Sequence, residues 1–204
     1  MAKKTVGTLV NINNLTMWSR DESEATATYG EAVSFQKRFM TVSDTPTTVS
    51  DQLFGDGEVA ADYNAITGGT LELGLTDLSN TDRVLIYGES VKDGTNVITT
   101  DTNSGYNVVA YSGKQQNGLL TLVKYLRVKF APGQEQAQQV TNSGVNWATK
   151  TVSGTYSADP ETGIFRYIRD NVDPTKDSEI ITKWFSDATY YGKVGVKNVE
   201  RLGA

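Results

Sequence analysis

The chain has 204 residues, 38% of them hydrophobic and 21% charged, which is enough apolar chain to bury the core of one sizeable domain. It contains neither cysteine nor histidine, so disulfides, zinc thiolates, thiol catalysis and imidazole general bases are excluded together. The net charge of −5 offers no general electrostatic reason to hold nucleic acid or anionic lipid.

Taken in chain order, residues 6–19 read as an extended mixture of apolar and polar positions, and Arg20–Glu24 as a solvated loop. No apolar stretch follows the basic start at Lys3-Lys4, so no secretory signal is expected, and no run is long enough for a membrane helix. Residues 41–64 read as a long strand–loop–strand excursion rich in Thr, Ser and Asp, punctuated by Pro46 and Gly55-Asp56-Gly57. Leu71, Leu73 and Leu75 then alternate with Thr70, Glu72, Gly74 and Thr76, the pattern of a half-buried strand. Asp77–Gly88 carries capping residues at its start, Leu78, Leu85 and Ile86 as apolar positions and glycine as a stop, which predicts a short helix.

Asn107–Gly113 and Leu119–Phe130 are predicted to form a hairpin across Lys114–Gly118, where Asn117-Gly118 is a tight-turn signal. In the second strand Leu120, Leu122, Leu126, Val128 and Phe130 are assigned to one face, interrupted by Lys124, with Tyr125, Arg127 and Lys129 on the other. Further strands are expected over 135–141, 145–157 and 164–169, with a turn at Asp159–Gly163. A second helix is expected from Asp173-Pro174, with Ile180, Ile181, Trp184 and Phe185 as its apolar stripe. Residues 188–204 read as a final strand and tail. The sum is a mainly β, antiparallel sandwich or barrel with two short flanking helices, whose sheet edges must be protected or used for assembly.

A search for chemistry is unproductive. There is no phosphate-binding loop and no nucleophile elbow; Gly68-Gly69 sits where a turn or bulge belongs. Asp51, Asp56, Glu58, Asp62 and Glu72 are carboxylates of the right type for glycoside hydrolysis, but nothing in their spacing selects a pair. Asp170, Asp173 and Asp177 lack the spacing of a calcium loop, and Asp173 suits a helix cap better. Trp147 and Trp184 fit core packing, and Lys124, Arg127 and Lys129 make only a short basic group. No catalytic, cofactor or metal site is expected, and the chain reads as no enzyme.

The order of Thr28-Tyr29-Gly30-Glu31-Ala32-Val33, the excursion through Asp51–Ala61, Gly69-Thr70-Leu71-Glu72-Leu73, the helix ending Tyr87-Gly88, Ala110-Tyr111-Ser112-Gly113, Phe130-Ala131-Pro132-Gly133 and the helix with Trp184-Phe185 resembles the phi13-type major tail (tail tube) proteins of siphophages that infect Gram-positive bacteria. The resemblance spans about residues 25–188. It implies one tail tube domain over 1–204, with an N-terminal arm at 1–20, a long inter-ring loop at 41–64 and a C-terminal arm at 189–204. Hexameric rings would stack into a hollow, β-lined tube that conducts DNA, within the virion tail of a particle made in the host cytoplasm. Implied partners are further copies of the chain, a tape-measure protein inside, and tail terminator and distal tail proteins; DNA would pass without specific binding, and no membrane would be entered. On this reading Asp51, Leu53, Phe54, Asp56, Glu58 and Tyr63 are the assembly loop, and Glu72 is a lumen-facing acid. Six copies at −5 sum to about −30 per ring, which suits a conduit that must not hold its cargo. Two alternatives stay open: a β-sandwich binding module for carbohydrate or capsid decoration, and a tube protein of a related phage-like injection machine.

Overall fold

A computed structural model describes residues 8–24, 26–55, 58–132 and 149–192. Thirteen elements follow one another: β1 (Leu9–Asp21), β2 (Thr28–Tyr29), β3 (Val33–Ser34), β4 (Phe39–Gly55), β5 (Glu58–Leu75), α1 (Asn80–Tyr87), β6 (Ser90–Lys92), β7 (Thr95–Val97), β8 (Tyr106–Gln115), β9 (Leu120–Phe130), β10 (Lys150–Tyr156), β11 (Arg166–Val172) and α2 (Ser178–Ser186). All pairings are antiparallel. Nine strands form one sheet in the order β2-β1-β8-β9-β10-β5-β4, with β3 also on β1 and β11 also on β9; β6 and β7 make a small separate ribbon.

The sheet curls over on itself, so that Leu71, Leu73 and Leu75 of β5 and Val152 of β10 pack against Leu15 and Met17 of β1, Val109 of β8 and Tyr125 of β9. The corner lies in β9. One edge of this strand pairs with β8; the other pairs first with β11, over Leu120–Tyr125, and then with β10, over Val128–Phe130. Between these stretches the register against β8 slips at Asn107–Val109, a bulge that places one extra β9 residue opposite β8. Because strand side chains alternate with a period of two, that slip exchanges the faces. Tyr125, Val128 and Phe130 therefore all enter the sandwich, while Leu122 and Lys124 face the opposite side. The single face predicted for Leu120, Leu122, Leu126, Val128 and Phe130 is corrected accordingly.

On that opposite side α2 closes a second core from Trp18, Val108, Ala110, Leu122, Val172, Trp184 and Ala188. The middle strands β8 and β9, and β1 from Leu15 to Trp18, are thus covered on both faces, which accounts for the nearly unbroken burial of these stretches. Residues 9–20, part of the stretch 1–20 for which the resemblance implies an arm, lie in the sheet strand β1: Leu15 and Met17 enter one core, and Trp18 the other. Residues 1–7 lie outside the described residues.

Helix α1 forms as read. Ser79 accepts from the Asp82 N–H and the Asp82 carboxylate accepts from the Ser79 N–H, a reciprocal cap, and Gly88 ends the helix at φ 70. Helix α2 starts later than read. Asp173 Oδ1 accepts from Thr175 and Lys176 N–H at 2.9 and 3.2 Å, and Asp177 Oδ2 from Asp173 N–H at 3.0 Å. Local side-chain bonds hold these residues as a turn, and the helix begins at Ser178. The strand expected over 135–141, and Trp147, lie outside the described residues; β10 and β11 occupy the other two predicted stretches.

Candidate functional site

The long excursion is a β-ribbon. β10 pairs with β5 from Gly69 to Leu75, so beyond Gly68 the partner of β5 among the described residues is β4, from Thr47 to the turn at Gly55 and Glu58. Eight residue steps beyond Thr47, at ~3.3 Å each, carry the ribbon about 26 Å past the body. Every described residue from Thr45 to Phe54 is exposed, as are Ala61–Asn64.

The sequence explains why the strands persist this far. Val49, Thr48, Leu53 and Phe54 oppose Ala65, Ile66, Ala61 and Val59, so residues of β-branched or apolar type stand opposite one another at both ends of the ribbon. Yet a two-stranded ribbon without a covering layer is marginal in water. This one also presents Val49, Leu53, Phe54, Tyr63 and Ile66 to solvent, Leu53 at 67%, Phe54 at 63% and Tyr63 at 62% exposure. Fully burying a side chain of this size is worth roughly 1.5–3 kcal/mol, so a covering partner gains from each of them.

The root is held stiffly. At Thr47–Thr48 the register slips by one residue opposite Gly68 and Thr67, so Gly68-Gly69 flanks a bulge. A Cβ on Gly69 would sit 2.3–2.6 Å from the Tyr156 phenol, and one on Gly68 would sit 2.7 Å from the Tyr156 carbonyl oxygen. Only glycine lets Tyr156 cross there. Below it Asp44, turned inward from β4, accepts from the Arg166 guanidinium of β11, which also donates to the Tyr125 hydroxyl at 2.9 Å. Burial raises the Tyr125 phenol, and burial with the hydrogen bond to Asp44 pushes Tyr156 up to about 12. Both phenols therefore stay neutral hydrogen-bonding groups at ordinary pH.

The residues singled out in the sequence fall as follows. Asp51 pairs with Tyr63 across the ribbon, Leu53 with Ala61, Phe54 with Val59, and Glu58 stands at the turn opposite Gly55. Asp56 lies outside the described residues. Glu72 is elsewhere: it is exposed on the outer face of the β4–β5–β10 layer, between Ser43 and Ser153. Its neighbours on that face are Thr41, Thr45, Thr70, Thr151 and Thr155, so the carboxylate stands in a field of small hydroxyls. The structure joins five of the seven residues on one ribbon and separates Glu72 from them.

One anchor escaped sequence reasoning. Lys124 is 0% exposed in the second core, and its ammonium lies 5.2 and 5.1 Å from the Trp18 and Trp184 ring centroids. It donates to the carbonyl oxygens of Asp187 and Tyr190 at 2.7 and 2.8 Å, fixing the chain where it leaves α2. Burial draws its pKa down to about 8 despite the Asp187 carboxylate. In the sequence it is only a lysine among apolar neighbours; the partners come from 63 and 66 residues away. Arg20 is similar, buried with Nη2 on Asp159 Oδ1 at 2.7 Å and Nη1 on the Leu126 carbonyl at 3.1 Å.

Asp170 accepts from the Thr121 hydroxyl at 2.8 Å and Asp173 caps its turn, so neither converges with Asp177 on a common point. Among the described residues no group of three or more Asp or Glu side chains could hold a metal ion. A cleft of about 350 Å³ between Thr102–Ser104, Lys129–Pro132 and Ser153–Thr155 carries Lys129 as its one ionisable side chain. No helix of the described residues is long and apolar enough to cross a membrane.

No family model matches the chain, and no curated protein matches it. Among solved structures it is similar to a chain of the anti-feeding prophage baseplate, determined by cryo-electron microscopy with 6-fold symmetrisation. Identity is 14% and the TM-score 0.34, over 83% of this chain and 93% of that one, a superposition too loose to assign a role.

Proposed function

We propose that the chain is a structural subunit that acts by self-assembly, the tube subunit of a long non-contractile phage tail, in which hexameric rings stack into a hollow conduit for DNA. The observation that supports this reading is the ribbon of β4 and β5, exposed on both faces, apolar at its far end and held stiffly at its root. An uncovered ribbon of this kind gains its stability from a partner, and a neighbouring subunit supplies one in every copy of a closed ring or stack. The long edge of β4 and the short edges at β2 and β3 are where subunits would join sheet to sheet. Its partners on this reading are other copies of itself, with tape-measure, terminator and distal tail proteins at the core and ends of the tube. The hydroxyl-rich outer face carrying Glu72 is the surface we assign to the lumen, since neutral hydroxyls and a carboxylate offer phosphates no counterion-release gain.

The same reading makes the chain no enzyme, supported by the lack of histidine and cysteine and by carboxylates spread along a solvated ribbon. Negative-stain microscopy of concentrated protein tests it: rings or tubes of uniform bore are expected. A strictly monomeric species at every concentration would overturn the assignment. Limited proteolysis gives a second readout, with cleavage in 41–64 of the free subunit and protection once assembled.

A further inference from the structure

The side of the molecule that carries α2 holds a groove far from the ribbon. Two clefts, of about 410 and 320 Å³, meet at Ala32 and Ser186. They run between the chain from Tyr29 to Gln36 and the segment from Ile181 to Thr189, and β1 adds Asn14 and Thr16 to the lining. Each falls within the roughly 300–1,000 Å³ of small-ligand sites.

The walls follow from local structure. Asn13 pairs with Ser112 and Thr16 with Ala110, so Asn14 and Leu15 stand opposite Tyr111 alone. Leu15 enters the sandwich core. Asn14 lines the groove at φ 56, a left-handed conformation that asparagine tolerates better than most residues. Phe35 is pinned in the same core, its N–H donating to the Leu15 carbonyl oxygen at 2.8 Å, and Ser34 and Gln36 on either side of it are exposed along the groove. Ile181 and Phe185, one turn apart on α2, supply an apolar wall beside the buried Trp184.

The chemistry of the lining is uncharged hydrogen bonding. Asn14 and Gln36 each carry a planar amide with donor and acceptor, and neither side chain is hydrogen-bonded to another described residue. Ser34 and Ser186 add hydroxyls. Among the described residues no lysine or arginine lines either cleft. The acids Glu31 and Asp187 stand at one end, and Asp187 already accepts from the Thr189 N–H and hydroxyl at 2.8 and 2.7 Å. Phosphates, carboxylates and nucleic acid find no counter-charge there. A pyranose ring matches the set: its hydroxyls both donate and accept, and its C–H face suits an apolar wall.

We propose that this groove binds a neutral saccharide, with the Asn14 and Gln36 amides reading ring hydroxyls and Phe185 packing on the C–H face of a sugar ring. The site stands independently of the self-assembly reading. It lies across both cores from the face that carries Glu72, so on that reading it opens on the outside of the tube.

Saturation-transfer NMR on the full chain, which reads subunit and tube alike, tests the site. The probes are chitotriose, cellotriose and maltotriose, with trigalacturonate as the acidic counterpart and tetralysine as the cationic one. At least one neutral trisaccharide should bind saturably, and more tightly than either charged probe. Asn14→Gly, which suits a φ of 56, and Gln36→Ala, at an exposed position, should each weaken that binding roughly tenfold, the worth of one lost hydrogen bond. Gln52→Ala on the ribbon should leave it unchanged. No saturable binding of any of the three neutral sugars overturns the proposal, as does binding that survives both groove substitutions. Tighter binding of trigalacturonate or tetralysine overturns it too, the latter making the groove a site for a cationic peptide. Absence of rings and tubes under the microscope bears on the assembly reading alone, so the two fail separately.

Discussion

Two stretches of strand in this protein have much the same chemistry and opposite surroundings. β9 is apolar and β-branched, with sheet and α1 on one side and α2 on the other, and almost all of its residues are buried. The ribbon of β4 and β5 beyond Thr47 is also rich in Val, Ile, Leu, Phe and Tyr, and has no layer on either side among the described residues. Strand propensity is common to both; what differs is the presence of a covering layer. Side chains in β9 hold the subunit together, and those of the ribbon are left for something outside it.

The contrast is sharpest where cover is removed. Trp184→Ala empties the second core beneath α2 and should cost about 3–5 kcal/mol, seen as a large fall in the urea midpoint. An unchanged midpoint would mean that α2 contributes little to holding the sheet. Next is the buried cation. Lys124 has a folded pKa of about 8, below its unfolded 10.5, so between these values the unfolded chain binds the extra proton and stability rises with pH. The gain is up to about 3 kcal/mol, and the raised phenols of Tyr125 and Tyr156 oppose it only above pH ~10. Urea midpoints from pH 7 to 10 should climb for the native chain and stay flat in Lys124→Met, relative to each other.

Smaller is the effect at the ribbon root. Gly69→Val puts a side chain into the Tyr156 ring and should cost about 1–3 kcal/mol, while Gly118→Ala meets nothing within 4 Å and is strained only by its φ of 84. A Gly69 variant as stable as the parent would show that Tyr156 can move aside. Smallest of all, Leu53→Ser with Phe54→Ser should alter the urea midpoint by less than about 0.5 kcal/mol equivalent. Those same changes should abolish rings and tubes, and loss of stability without loss of assembly would invert the comparison.

Much of this was legible in residue order. The capped helix at Ser79–Gly88, the Asn117-Gly118 turn, the Leu71–Leu75 alternation and the strand–loop–strand excursion at 41–64 all rest on interactions between residues near in sequence. Local chemistry is enough there, since caps, turns and period-two alternation are decided within a few residues. The ribbon's apolar members, Leu53, Phe54 and Tyr63, were visible as residues, but their exposure was not.

Composition by itself settled the missing imidazole and thiol and the acidic balance. Tertiary structure decided the rest. The bulge at Leu126–Arg127 exchanged the faces of β9, because one residue of slip against β8 is invisible until the two strands are paired. Residues 9–20 became a strand of the main sheet because β8 pairs with them and their two faces meet the sandwich core and the core under α2, and Lys124 became an anchor because a helix end 63 residues away brought carbonyl oxygens to it. Among the described residues nothing covers β4 and β5 beyond Thr47, and that is what leaves an ordinary pair of strands with its apolar side chains exposed.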